Sequence, residues 1–279
     1  MENQIIEQFK AFLSTPPLWD GMGPFGMHQF SFPKKLGSIP EEKDILNVIP
    51  SLAGCVVLGK RMESFFSYSI RTSTEYNLKL ENIQIARNKI TIGEIDFILG
   101  DENDGSILHV ELVYKFYVYD PSFEIEEERW IGPNRRDSLL RKIKKLKEHQ
   151  FPLLYKEETK RTLATFKIDY QALDQKVCFK ANLFVPREMF EKVFTLINNS
   201  CIVGYWIHIL QFEPGKFSGN LFFIPQKSDW PIDPLSNTDW FPFSGIYEKV
   251  ITFHNKHFSP LVWMKTPTGE IERFFIVWW

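Results

Sequence analysis

The spacing of apolar residues changes along the chain, and each change predicts a different kind of element. Residues 1–16 are amphipathic at helical spacing, which predicts a short helix that stops at the Pro16-Pro17 pair. Helical spacing returns over 45–68, and from about residue 77 the period falls to two. A period of two is typical of strands, so the sequence predicts three strands in succession. They cover 78–86, 89–99 and 107–119.

A basic helix is predicted after these strands. Its range is 135–150, with Asn134 as the N-cap and Pro152 at its end. Beyond about residue 160 the pattern predicts a helix over 187–198 among short strands. Those strands cover 180–184, 201–211, 220–224, 261–265 and 271–279.

This order of elements predicts an α/β protein (α+β, with a mixed sheet) in three regions. Residues 1–44 form an N-terminal helix and a wrapping loop rich in Gly, Pro and Phe. Residues 45–160 hold the helix, three strands and basic helix of the core. Residues 161–279 form a mixed, strand-rich and aromatic-rich C-terminal region. The boundary near residue 160 is a soft one, because two cores of this size could equally be fused.

Composition narrows the functional classes. Of the 279 residues, 44% are hydrophobic and 24% are charged, which excludes disordered and fibrous proteins. The net charge of −2 means that contact with nucleic acid would require a local basic patch. The three cysteines, Cys55, Cys178 and Cys201, stand too far apart for a zinc or disulfide motif. The N-terminus lacks a signal pattern and no apolar run could span a membrane, so we expect a cytoplasmic protein without a membrane partner.

The strand predicted over 107–119 contains the most informative charges. Its very apolar sequence predicts a central strand, and alternation sets His109, Glu111 and Lys115 on one covered face. A buried lone charge costs several kcal/mol unless it is paired or bound to a metal. The alternative is a half-exposed strand on which Glu111 and Lys115 form a solvated pair.

Asp96, on the preceding strand, is predicted to approach the same face. The short turn between the two strands makes them antiparallel, and any register with an odd index sum sets Asp96 opposite His109 or Glu111. Two carboxylates that close repel each other unless a cation lies between them, and oxygen ligands favour Mg²⁺ or Mn²⁺. With Lys115 holding water or offsetting phosphate charge, the set suits metal-assisted phosphodiester hydrolysis. Alternatively, Asp96 is a surface acid near a turn.

The basic helix gives an independent signal. Its apolar stripe contains Gln150, whose amide would cost about 1–3 kcal/mol if it were buried without a partner. The other faces are basic and are predicted either to be solvated or to follow the phosphates of a nucleic acid. The residues proposed to bind nucleic acid are Arg135, Arg136, Lys142, Lys144 and Lys145.

The tryptophans of the C-terminal region have two interpretations. They could stack on bases, although such residues more often fill a core. The closing run 274–279 is too apolar for a free tail, so we expect a buried last strand or an interface.

These motifs together carry a family resemblance. A helix, a hairpin with Gly-Glu-x-Asp, a strand with Glu and Lys on one face and a helix holding Gln resemble the core of the PD-(D/E)XK, or restriction-endonuclease-like, nuclease superfamily. More closely, the chain resembles an uncharacterised bacterial family of domains of unknown function often grouped with those nucleases. The resemblance covers about residues 10–155. The matching residues are Thr15-Pro16-Pro17-Leu18, Leu58-Gly59, Glu63, Gly93-Glu94-Ile95-Asp96-Phe97, His109-Val110-Glu111, Lys115-Phe116-Tyr117, Gly132-Pro133-Asn134, Asp137, Leu139, Lys142, Leu146 and His149-Gln150.

The resemblance implies a hydrolase with a divalent metal site. Asp96 and Glu111 would be metal ligands, Glu63 an accessory ligand and Lys115 the catalytic lysine. Gln150 would lie near the site. The superfamily places its lysine two residues after the acid, whereas Lys115 is four after Glu111, which moves it about 7 Å further along the strand. Metal binding is therefore better supported than turnover.

Three hypotheses follow. The first is a nuclease that uses Mg²⁺ or Mn²⁺ and acts on nucleic acid, DNA in preference to RNA. The second is a nucleic-acid-binding or assembly protein on a degenerate nuclease fold, inactive because the lysine is displaced. The third is a structural network of ion pairs with no ligand. The sequence sets no oligomeric state.

Overall fold

Helices come first along the chain and three long strands follow in succession, as the spacing of apolar residues predicts. The structure is a computed structural model that describes residues 2–34 and 57–279. The helices are α1 (Glu2–Ser14), α2 (Leu58–Arg71), α3 (Leu139–Lys145), α4 (Phe151–Leu153), α5 (Glu157–Thr165), α6 (Pro214–Phe217) and α7 (Phe243–Asn255), with a π-helical segment (Leu146–Gln150) between α3 and α4. The strands are β1 (Tyr76–Arg87), β2 (Ile90–Asp101), β3 (Ile107–Tyr119), β4 (Trp130–Ile131), β5 (Leu173–Pro186), β6 (Ile202–His208), β7 (Leu221–Phe223), β8 (Phe241–Pro242), β9 (Leu261–Lys265) and β10 (Ile271–Val277).

The chain divides into two compact units, each built from separate segments. Unit 1 comprises Met1–Pro16, Lys115–Leu140 and Ala181–Trp279. Unit 2 comprises Pro17–Tyr114 and Arg141–Lys180. The division falls within strands β3 and β5, so each of these strands has one part in unit 1 and the other part in unit 2.

Unit 2 is built on the antiparallel strands β1, β2 and the first half of β3. One of its cores is aromatic: the ring of Phe66 on α2 lies 4.5 Å from that of Phe97 and 5.6 Å from that of Phe30. The side chain of Phe30, from the loop after α1, therefore packs into this core. A second core is aliphatic and joins β1 and β2 to α4 and α5.

Unit 1 contains a mixed sheet in the order β5-β6-β10-β9-β7-β8. The pairs β5–β6 and β6–β10 are parallel and the others are antiparallel, so the predicted mixed α/β class is confirmed. Trp230 and Trp263 are buried, which supports a structural role for these two rings. The closing run 274–279 contains the end of β10, and Trp279 Nε1 donates to the Pro133 carbonyl at 2.9 Å, so the run is packed as predicted.

Several predicted elements differ from those observed. The predicted helix over 187–198 is wrong, because that stretch holds only a 3₁₀ turn, Arg187–Met189. The predicted helix over 135–150 begins at Leu139, and Asn134 does not cap it: Asn134 Oδ1 accepts from Ser259 N at 2.7 Å in unit 1. Pro152 lies within α4 and does not end the helical stretch. Of the helical range predicted over 45–68, residues 45–56 lie outside the described part of the chain.

Candidate functional site

The pairing of β2 with β3 decides where Asp96 lies. Phe97 pairs with Val110 and Ile98 with His109, so the index sum of the register is odd, which is the condition for Asp96 to lie opposite His109 or Glu111. The paired residues end at Phe97 and Val110, and Asp96 and Glu111 are the next residues on the two strands; the charge of Glu111 acts on Asp96. Asp96 also binds the backbone of β3, since its Oδ2 accepts from Leu112 N at 3.0 Å. The two carboxylates therefore share one face of the sheet.

Glu111 is fully buried, and both of its carboxylate oxygens accept hydrogen bonds. Oε1 lies 2.9 Å from His109 Nε2, and Oε2 accepts from Gln150 Nε2. Gln150 Oε1 in turn accepts from Lys142 Nζ at 2.7 Å. The predicted cost of a buried amide at Gln150 is thus avoided, because both ends of that amide have partners.

The hydrogen bonds of His109 define its protonation state. Gln175 Nε2 donates to the Phe151 carbonyl at 2.9 Å and lies 3.0 Å from His109 Nδ1. An amide nitrogen only donates, so Nδ1 must be the acceptor and the proton of the neutral ring is on Nε2. That proton is donated to Glu111. The buried Glu111 carboxylate is therefore held by an imidazole and an amide, both neutral. The Lys142 ammonium donates to the oxygen of the same Gln150 amide.

The surroundings of Asp96 disfavour its charged form. Burial raises the pKa of Asp96 to about 8, and the charges of Glu111 and Glu63 act in the same direction. The Leu112 N–H and the Lys142 ammonium oppose this rise in the pKa. Asp96 and Glu111 therefore repel each other in the absence of a cation.

Glu63 joins the same electrostatic group from helix α2. Burial raises the pKa of Glu63, the Lys60 ammonium lowers it, and the charges of Glu94 and Glu111 raise it again, with a net rise. Lys60 Nζ lies 2.6 Å from Glu63 Oε2 and 3.2 Å from Glu94 Oε1. The local pair of Lys60 with Glu63 that three-residue helical spacing favours is therefore present, and it bridges to the Gly-Glu-x-Asp strand.

The donor chemistry of these acids fits a hard divalent cation. Mg²⁺ takes oxygen ligands, and proteins usually bind it through one or two carboxylates, with water and phosphate completing its shell. Asp96 and Glu111 supply two such carboxylates. Within residues 2–34 and 57–279, no three histidine, cysteine or acidic side chains form a ready-made ligand set.

Lys115, the catalytic lysine implied by the resemblance, forms an ion pair with Asp137. It belongs to unit 1, where its Nζ lies 2.5 Å from Asp137 Oδ2. Both side chains are about one-third exposed, at 37% and 32%. The predicted burial of Lys115 is thus only partial, and the Asp137 carboxylate balances the positive charge of Lys115.

Replacement of Lys115 by alanine is expected to reduce stability by less than about 1 kcal/mol, because half-exposed ion pairs contribute little. Urea denaturation of Lys115→Ala beside Asp137→Asn measures this. The two variants should lose similar small amounts, and a loss of several kcal/mol for Lys115→Ala alone would contradict the pairing.

The five basic residues proposed to bind phosphate differ in their surroundings. Arg135 is used within unit 1: it pairs with Asp120, and its guanidinium lies 4.2 Å from the centre of the Trp279 ring. Arg136 is exposed in the same unit. In unit 2, Lys144 and Lys145 are exposed, and Lys144 Nζ is 3.9 Å from Glu148 Oε1. Lys142 is half-buried and bonded to Gln150.

Two contributors to the site were missed from the sequence. Gln175 lies on β5, far along the chain from His109, and no local pattern marks it. The π-helical segment Leu146–Gln150 was read as regular helix. Its one visible signal was Pro152, which lacks the N–H that a regular α-helix would bond to the carbonyl four residues before it.

A family assignment covers nearly the whole chain. The family model described as a domain of unknown function, DUF1853, matches residues 10–277. The chain belongs to the DUF1853 family. Neither the comparison with curated proteins nor that with solved structures gave a match. In the part of this DUF1853 chain that the structure describes, no helix is long and apolar enough to cross a membrane.

Proposed function

We propose that unit 2 of this DUF1853 protein is a nuclease that uses Mg²⁺ or Mn²⁺ to hydrolyse phosphodiester bonds in nucleic acid, DNA in preference to RNA. The observation that supports this most is that Asp96 and the fully buried Glu111 adjoin the same end of the β2–β3 pairing, where the charge of Glu111 acts on Asp96. The order of motifs around them resembles the PD-(D/E)XK nucleases. Two carboxylates on one face, with a basic helix following in the chain, suit a metal-bound phosphate better than a purely structural ion pair.

The residues of the site have distinct roles in this proposal. Asp96 and Glu111 would hold the cation, and Glu63 would be the accessory acid. A divalent cation held there would supply positive charge to the phosphate and would help to activate the attacking water. His109 and Gln150 fix the orientation of the Glu111 carboxylate through its two oxygens.

The exposed side of the α3 region would hold the nucleic-acid backbone. Four basic side chains there are exposed: Arg141, Lys144, Lys145 and Lys147. Contacts of this kind follow phosphates without reading bases, so the proposal implies little sequence preference.

A second candidate is a protein that binds nucleic acid on the same fold without cleaving it. One observation favours it: Lys115, the catalytic lysine of the resemblance, is paired with Asp137. A nuclease would then need a different basic side chain near Glu111. In unit 2, Gln150 is hydrogen-bonded both to Glu111 and to Lys142, so Lys142 is the lysine connected to that carboxylate.

A cleavage assay distinguishes the two candidates. The protein is incubated with plasmid DNA, single-stranded DNA and RNA, each with Mg²⁺, Mn²⁺ or EDTA. Metal-dependent fragments from the wild type, absent from Asp96→Asn and Glu111→Gln, support the nuclease. Binding without cleavage in either metal would support the second candidate, and neither binding nor cleavage would overturn both.

Charge reversal of Lys144, Lys145 and Lys147 to glutamate is expected to weaken duplex binding equally for all sequences. Each lost phosphate contact reduces the slope of log affinity against log salt by about 0.9, so the triple variant should lose up to about 2.7. Fluorescence anisotropy at several salt concentrations measures this. A matched reversal of three exposed lysines of unit 1, Lys227, Lys249 and Lys256, should leave the slope unchanged. An unchanged slope in the first variant would mean that this helix face is only solvated.

A further inference from the structure

The helical stretch after residue 139 loses its regular α-helical geometry just where Gln150 lies. In a regular α-helix, residues 142 and 150 would be eight positions apart and about 80° out of line around the axis. The π-helical segment Leu146–Gln150 takes up about one extra residue. This brings Gln150 to within about 20° of Lys142, as if the two were seven positions apart. The irregular turn thereby places the two side chains on one face.

A glycine in β2 allows this helical stretch to approach the sheet closely. A Cβ at Gly93 of β2 would lie 2.5 Å from Leu153 Cδ2 on α4. Gly93 is the glycine of the Gly-Glu-x-Asp motif, three residues before Asp96. The glycine of the motif therefore leaves room for Leu153 of α4, the helix that directly follows Gln150.

The chemistry of the three side chains gives the contacts a direction. A lysine ammonium can only donate, so Gln150 must turn its carbonyl oxygen toward Lys142, at 2.7 Å. Its amide nitrogen then faces Glu111 Oε2 and donates to it. The positive charge of Lys142 polarises the amide and strengthens its hydrogen bond to the carboxylate.

We propose that Lys142, acting through Gln150, positions the Glu111 carboxylate to receive the divalent cation. This inference rests on the proposed function. It makes Lys142 a positioning residue of the site. The sequence alone, by contrast, assigns Lys142 to phosphate binding and makes Lys115 the lysine of the site. The half-burial of Lys142 and its bond to Gln150 distinguish it from the exposed Lys144, two residues away.

The test is a calorimetric titration of Mn²⁺ into the wild type, Lys142→Met, Gln150→Ala and Lys144→Met, with melting recorded in EDTA. Removal of a hydrogen-bonding partner of a metal ligand typically weakens metal affinity 10- to 100-fold. We expect that loss for Gln150→Ala, a smaller loss in the same direction for Lys142→Met, and wild-type affinity for Lys144→Met. Lys142→Arg, which can still donate to Gln150 Oε1, should recover most of the affinity.

The outcomes separate this inference from the proposed function. If the wild type binds Mn²⁺ and Lys142→Met binds it equally well, the positioning role is wrong and the metal site stands. If Lys142→Met melts lower but keeps its affinity, Lys142 is structural and the inference is again overturned. If the wild type binds no Mn²⁺, the proposed function fails, and the positioning role fails with it.

Discussion

Asp96→Asn is expected to abolish Mg²⁺ and Mn²⁺ binding and, in the absence of metal, to stabilise the protein at alkaline pH. The pKa of Asp96 is about 8 in the folded chain, against an ordinary value of 3.8. Between these values the folded state holds a proton that the unfolded state has lost, so stability falls as pH rises from about 4 and the full penalty is reached above about 8. Each tenfold change in proton affinity corresponds to about 1.4 kcal/mol, so a gain of a few kcal/mol is expected for the asparagine variant at pH 8.5.

Chemical denaturation of both proteins in EDTA at pH 4.5 and pH 8.5 measures this effect. The two proteins should have similar stability at pH 4.5 and differ at pH 8.5. Asp104→Asn is a control of opposite sign, because hydrogen bonds from Ser106 lower the pKa of Asp104. That variant should gain nothing at alkaline pH. Equal stability of Asp96→Asn and the wild type at pH 8.5 would show that the pKa of Asp96 is not raised by its burial and by the neighbouring acids.

Glu111→Ala is expected to cause the largest loss of stability among the substitutions considered, roughly 3–5 kcal/mol. The substitution removes the acceptor of both His109 Nε2 and Gln150 Nε2 and leaves these donors unpaired beside a fully buried position. Glu111→Gln should lose less, because its amide oxygen still accepts from one of them. Urea denaturation at neutral pH measures the series, with the half-exposed Lys115→Ala as the reference for a weak ion pair. A Glu111→Ala loss below about 1 kcal/mol would contradict the buried network.

The β2–β3 hairpin could be predicted from the sequence because its determinants are local. Two runs with a period of two, 89–99 and 107–119, and the short turn between them predict a pair of antiparallel strands. The pattern leaves the parity of their register open, and the observed odd index sum puts Asp96 on the face of Glu111. Gln150 could likewise be expected to have a partner, since an amide within an apolar stripe demands one, and both ends of its amide are bonded.

What could not be predicted depends on distant parts of the chain or on irregular geometry. Lys115 shares the face of Glu111 by alternation, yet its ammonium pairs with Asp137, which follows in a loop of no regular period. Lys142 and Gln150 converge through a π-helical segment that periodicity cannot reveal. The helix predicted over 187–198 rested on spacing alone, which does not distinguish a short helix from an irregular packed segment.

The most direct test of the metal site is a crystal structure of the protein soaked in Mn²⁺, with anomalous diffraction used to locate the ion. We predict an anomalous peak within coordination distance of carboxylate oxygens from both Asp96 and Glu111, with the His109 and Gln150 hydrogen bonds to Glu111 retained. A peak held by other residues, or no peak in crystals of intact protein at saturating Mn²⁺, would contradict the proposed site.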